Sequence, residues 1–125
     1  MAIARLGAVS LDSDDPSTLG RFYRELLDLR LVYESAELVV LRGGDVTITV
    51  EKVADYKAPD WPDDRIPKQM HLDLFVSDLD ESESAALSIG ATKPDTQPAP
   101  DKWRVLLDPS GHPFCLTLPP NGFTL

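Results

Sequence analysis

The chain has 125 residues, 42% of them hydrophobic and 26% charged, which is the size and composition of one ordinary globular domain rather than of a disordered or membrane-embedded chain. Its 21 acidic side chains against 12 basic ones leave a net charge of −9, which repels phosphate backbones and anionic lipid and argues against nucleic acid or a membrane as partner. No apolar run reaches the roughly 20 residues of a membrane span, and residues 1–11 lack the basic-then-apolar pattern of a secretory signal, so the expected compartment is the cytoplasm.

Residues 4–11 alternate, with Arg5, Gly7, Val9 and Leu11 on one face and Leu6, Ala8 and Ser10 on the other, as a half-buried strand does. A helix follows. Asp15 and Pro16 supply an N-cap and a first-turn proline, and Leu19, Phe22, Tyr23, Leu26 and Leu27 make one apolar stripe at helical spacing. Asp28 tolerates the left-handed conformation that ends many helices. Three short apolar runs, 29–34, 37–42 and 46–51, then read as an antiparallel meander, with Gly43 and Gly44 turning between the last two.

Residues 53–67 carry Pro59, Pro62 and Pro67 among several acids, a connector composition. Asp60, Asp63 and Asp64 lack the spacing of a calcium loop and read as solvated. Beyond the connector the plan repeats. Residues 70–76 alternate, with Leu72, Leu74 and Val76 facing one way and His71, Asp73 and Phe75 the other. Asp78 and Glu81 form a capping-box pattern before a shorter helix that ends near Gly90. Further strands fit around Thr92, at 103–107 and at 114–118, the last two joined by Asp108-Pro109-Ser110-Gly111. His112, in that turn, is expected to be exposed.

The halves align: Val9 and Leu11 with Leu74 and Val76, Asp15 with Asp78, and Val46, Ile48 and Val50 with Phe114, Leu116 and Leu118. Paired copies of a unit that cannot bury its own sheet face are a recurrent solution. The chain is therefore read as one α+β domain, with module one over about 1–52, a connector over about 53–67 and module two over about 68–125.

Three segments carry a family resemblance: Asp14-Asp15-Pro16 with Arg21-Phe22-Tyr23-Arg24-Glu25-Leu26-Leu27; His71-Leu72-Asp73-Leu74-Phe75-Val76-Ser77-Asp78-Leu79-Asp80; and Arg104 through Leu116, with Asp108-Pro109-Ser110-Gly111-His112-Pro113 at its centre. Together they resemble the vicinal oxygen chelate superfamily of glyoxalases, bleomycin-resistance proteins and extradiol dioxygenases, most closely its glyoxalase-like domains of actinobacterial type. The resemblance implies two βαβββ modules forming an open, incomplete barrel with the helices outside. It also implies a ligand held on the concave sheet faces, commonly in a homodimer.

Metal-dependent members place a His or Gln on the first strand of each module and a Glu on the last. Here the four matching positions hold Leu6, Thr47, His71 and Cys115. Leu6 cannot coordinate, and a neutral threonine is a poor ligand. Asp73 lies two residues from His71 on the same face, so His71, Asp73 and Cys115 remain a three-ligand candidate, while the set as a whole favours no metal and no cofactor. Without one, His71 reads as a hydrogen-bonded imidazole in the cavity and Cys115 as a small packing residue.

Aromatic residues outside the helix stripes are the remaining pointers to a pocket: Trp61, Phe75, Trp103 and Tyr33. Core packing or a dimer contact explains each equally well, and Trp61, on the connector, also suits a partner chain. The pocket expected from the sequence is thus lined by Leu6, Thr47, His71, Asp73, Phe75, Trp103 and Cys115. Three functions fit. One is a metal-free binding protein for a cationic or aromatic small molecule, a second is a metal-dependent lyase, isomerase or dioxygenase on His71, Asp73 and Cys115, and a third is a metal-independent enzyme with His71 as general base.

Overall fold

The structure, a computed structural model, describes residues 1–120. In chain order its elements are β1 (Val9–Ser13), α1 (Pro16–Leu27), β2 (Arg30–Glu34), β3 (Leu38–Gly43), β4 (Val46–Lys52), β5 (Leu72–Phe75), α2 (Leu79–Ser88), β6 (Trp103–Leu107) and β7 (Pro113–Thr117). They form a mixed α+β fold with two small sheets, ordered β1-β4-β3-β2 and β5-β7-β6, neither closed into a barrel. The chain divides into two compact units after Tyr56, within the proline-rich segment.

In the first unit, Asp15 caps α1 by accepting from the Thr18 backbone N–H at 3.2 Å and from the Thr18 hydroxyl at 2.6 Å, with Pro16 opening the first turn. Asp28, at φ 52°, closes the helix in the left-handed region. Leu19, Phe22 and Tyr23 are almost fully buried, against a sheet face assembled by register. Val9 pairs with Ile48 and Leu11 with Val50 in the parallel ladder β1–β4, and Val39 pairs with Val50 and Leu41 with Ile48 across β3–β4. Each such side chain removed from water contributes about 1.5–3 kcal/mol before conformational entropy is counted.

The first strand is displaced from its expected position. Residues 4–8 lie outside it with exposed side chains. Extending the Val9–Ile48 register backwards brings Gly7 level with Val46, where β4 begins after the Gly43-Gly44 turn. Upstream of Gly7 there is no neighbouring strand to donate to.

In the second unit, β5 pairs in parallel with β7, Leu72 with Phe114 and Leu74 with Leu116, while β6 pairs antiparallel with β7. Phe114, Leu116 and Leu106 are buried on the face where α2 packs against β6 and β7, contributing Leu79 and Ala86. Arg104 fastens the helix further, reaching Asp80 at 2.7 Å and Glu83 at 3.4 Å. Asp78 caps α2 by accepting from Glu81 N–H at 2.9 Å.

The strand expected around Thr92 is reduced to one bridge, Thr92 to Leu107. Pro94, Pro98 and Pro100 follow it, and proline cannot donate to a ladder. Gln97 fills part of the gap with its side chain: its amide oxygen accepts from Val105 N–H at 2.9 Å and its amide nitrogen donates to Val105 C=O at 2.9 Å. One side chain thus completes the β6 edge at that residue, where an unpaired backbone would invite other strands.

The turn into β7 is built on Asp108, whose buried carboxylate accepts from Ser110 N–H at 2.9 Å and His112 N–H at 3.0 Å. Gly111 there has φ 87°, and a Cβ on it would stand 2.7 Å from the Ala58 Cβ. His112 is half-buried rather than exposed, because this tight turn holds its backbone against the protein.

Candidate functional site

Strand alternation gives the second sheet two different faces. With Leu72, Leu74, Phe114 and Leu116 turned to the α2 side, the intervening residues turn the other way. The parallel register sets Asp73 beside Cys115, and the antiparallel one sets Val105 beside Cys115 and Trp103 beside Thr117. His71, two residues before Asp73, falls on the same side. These side chains, with Trp61, Lys68, Pro98 and Pro113, line a cleft of about 390 Å³, a size typical of sites for small organic molecules.

At the polar end of the cleft, three side chains meet. The His71 imidazole donates from Nε2 to Asp73 Oδ1 at 3.1 Å; the direction follows because an ionised carboxylate only accepts. Asp73 is also the ladder neighbour of Cys115, so one carboxylate stands beside both side chains. One ligand atom from each of the three lies within 4.8 Å of the others. Burial pushes the Cys115 thiol up to about 11, with the negative charge and hydrogen bond of Asp73 adding to the rise and Lys68 opposing it. The sulfur is therefore a neutral thiol at pH 7 and no ready nucleophile.

Four of the seven residues expected in the pocket are brought together here: His71, Asp73, Trp103 and Cys115. Phe75 shares their face by alternation but stands 40% exposed beyond the cleft lining, one pair past Asp73–Cys115. Leu6 and Thr47 line a separate hollow of about 620 Å³ in the first unit, with Arg5, Val32, Val40 and Arg42. Leu6 is 81% exposed there, since it precedes the start of β1. Tyr33 is exposed on β2 and lines neither hollow.

Val105 and Thr117 were recoverable from alternation with Trp103 and Cys115. Lys68, Pro98 and Pro113 carry no such signal, because their positions depend on loop paths. The acidic connector does not gather a cation site: Arg65 pairs with Asp60 and with Asp63.

The four-ligand metal plan implied by the family resemblance does not fit these residues. Leu6 offers only carbon, and Thr47 a neutral hydroxyl. Among the described residues, the one convergent group of potential donors is His71, Asp73 and Cys115.

Comparison with known proteins agrees with this architecture. The family described as glyoxalase-like domain matches residues 8–117. A fosfomycin resistance protein from Mesorhizobium loti is similar at TM-score 0.70 and 16% identity, covering 96% of each chain. A glyoxalase-related enzyme from Fulvimarina pelagi is similar at TM-score 0.66 and 18% identity, over 94% of this chain and 90% of its own. The bleomycin-binding protein from Streptomyces verticillus, crystallised with copper(II)-bleomycin, is similar at TM-score 0.57 and 14% identity, over 95% of this chain and 100% of its own. The sequence matches no curated protein.

Proposed function

Because the chain belongs to the glyoxalase-like domain family, whose fold serves enzymes and binding proteins alike, we propose that its second unit binds a small planar compound, aromatic or cationic, in the cleft lined by Trp61 and Trp103. The observation that carries this reading is the lining itself: two indoles and two prolines around the His71–Asp73–Cys115 cluster and Lys68, in a hollow of about 390 Å³. Indole faces attract flat rings and cations, and the Asp73 carboxylate supplies the complementary charge. The net charge of −9 favours cations over anions at longer range.

The neutral Cys115 thiol and the non-coordinating Leu6 support binding over turnover by the family's metal chemistry. A second reading has one observation in its favour. Asp73 holds the His71 ring from Nε2, which leaves Nδ1 as an oriented general base. The binding reading further takes the protein as a cytoplasmic homodimer.

The test is a thermal-shift screen of flat cationic, flat neutral and anionic compounds, followed by calorimetry of hits on Trp103→Ala and Asp73→Asn variants. Binding of flat compounds that weakens in Trp103→Ala, with cations losing further in Asp73→Asn, is the expected result. No response to any flat compound, or hits indifferent to both substitutions, defeats the proposal. Light scattering gives the oligomeric state.

A further inference from the structure

We propose that the hollow of the first unit binds a small oxyanion, the carboxylate or phosphate head of a compound with a short apolar body, between Arg5 and Arg42. The site shares no residue with the cleft of the second unit and takes the opposite charge.

Strand register is the first support. Val39 and Leu41 turn toward α1, so Val40 and Arg42 turn to the other face of the sheet. On that face Arg30 stands directly opposite Arg42 in the β2–β3 ladder, and Arg42 directly opposite Thr47 in β3–β4. Directly opposed residues have Cβ atoms about 4.5–5.5 Å apart, where like charges destabilise the pair. The chain has 21 acidic side chains, yet this row sets two guanidinium groups side by side. Among the described residues, Arg65 and Arg104 form ion pairs, whereas Arg5, Arg30 and Arg42 form none. Asp45 lines the same hollow and pairs with neither Arg5 nor Arg42.

The apolar lining is the second. A β-bulge re-aims a side chain, and Val32, skipped between the Leu31–Leu41 and Tyr33–Val40 pairs, lines this hollow with Leu6 and Val40. Val32 is 50% exposed and Leu6 81%, so both offer apolar surface that a bound compound would cover. The volume, about 620 Å³, suits a small organic molecule.

Donor chemistry is the third. A guanidinium grips a carboxylate or phosphate through two parallel N–H···O bonds, and the Thr47 hydroxyl can donate another. The net charge of −9 opposes an anion at long range. Direct contact therefore has to hold the ligand, which favours a small oxyanion over a polyanion.

The experiment titrates the full chain with hexanoate, hexyl phosphate and inorganic phosphate by calorimetry. One equivalent of hexanoate or hexyl phosphate is expected to bind, and whichever binds identifies the head group. Arg5→Gln and Arg42→Gln should each weaken it about tenfold or more, the loss for one charge-assisted hydrogen bond, and Arg42→Lys should restore only part. Both arginines are exposed, so the variants keep the fold. In urea without ligand, Arg42→Gln should be no less stable than wild type, because its repulsion from Arg30 is gone; a loss of stability would show Arg42 already satisfied within the chain and overturn the proposal. So would no binding of either six-carbon anion at millimolar concentration, inorganic phosphate bound as tightly as hexyl phosphate, or affinity unchanged in both glutamine variants. An equal loss in Arg21→Gln, on the exposed side of α1, would reduce the effect to diffuse charge. A loss in Trp103→Ala would put the anion in the cleft and defeat this site while leaving the cleft occupied.

Discussion

Cys115 offers the sharpest check on the electrostatics of the cleft. Its thiol is pushed from the usual 9.0 to about 11, first by burial and then by Asp73. At pH 8 a thiol of ordinary acidity is about one-tenth thiolate and one at 11 about one-thousandth, so reactivity toward iodoacetamide should fall roughly 100-fold on ionisation alone. Restricted access lowers the rate further, so the shape of the pH profile is the cleaner observable. In metal-free protein the alkylation rate, followed by intact mass, should rise tenfold per pH unit from 8 through 10 without a plateau. Asp73→Asn removes the charge but not the burial, so its profile should level off earlier, yet still above 9.0. Folding stability carries the same signature. Below pH 9 both states hold the proton and nothing changes; between 9 and 11 the unfolded chain releases it while the native chain does not, and the native state loses up to about 3 kcal/mol. Cys115→Ala should flatten that segment of the curve. A plateau at or below pH 9, or a profile indifferent to Asp73→Asn, would refute the reasoning.

Two further predictions concern the first unit. A Cβ on Gly20 would stand 2.7 Å from Val39 Cγ1 and 3.3 Å from its Cβ, so Gly20→Ala should cost about 1–3 kcal/mol from overpacking, less up to about 1 kcal/mol regained in helix propensity. Val39→Ala also destabilises by itself, but the double variant should recover part of both losses, with a favourable coupling of about 1 kcal/mol in urea unfolding; simple additivity would show that α1 does not rest on β3 at Gly20. At the helix start, Asp15→Ala should cost about 1 kcal/mol. The Thr18 hydroxyl and backbone N–H hold the Asp15 carboxyl below its usual 3.8, so the stabilisation is present above 3.8 and lost as pH falls through the lower native value. Asp15→Asn should keep most of the cap and lose that pH dependence, and an acid-unfolding curve identical to wild type would count against the contact.

Much of the fold was legible because the signals were local. Asp15-Pro16, the stripe from Leu19 to Leu27, Asp28 and the glycine pair at 43–44 each specify a conformation through their immediate neighbours, and the elements appear there within a residue or two. What failed was long-range. Residues 4–8 alternate as a strand should, yet strand formation needs a partner, and β4 begins too late to provide one. Thr92 was followed by three prolines whose effect was to end a strand before it began, and the compensating amide of Gln97 sits eight residues from its partner. The cleft shows the same division. Alternation placed His71, Asp73 and Phe75 on one face, the family match pointed to Cys115 and the aromatic residues to Trp103, while the contributions of Lys68 and Pro98 depended on loop paths.

The repeat gives the clearest argument about function. In both units the parallel strand pair has the same register: Val9 lies beside Ile48 as Leu74 lies beside Leu116. Stepping outward from those pairs, His71, Asp73 and Cys115 in the second unit correspond to Leu6, Ala8 and Thr47 in the first. The register gives two corresponding sets of positions, although Leu6 and Ala8 lie before the start of β1, and the sequence fills one set with an imidazole, a carboxylate and a thiol while giving the other a leucine, an alanine and a threonine. At these three positions the first unit offers no metal donor beyond the neutral Thr47 hydroxyl. The imidazole, carboxylate and thiol, with both tryptophans, line the cleft of the second unit instead.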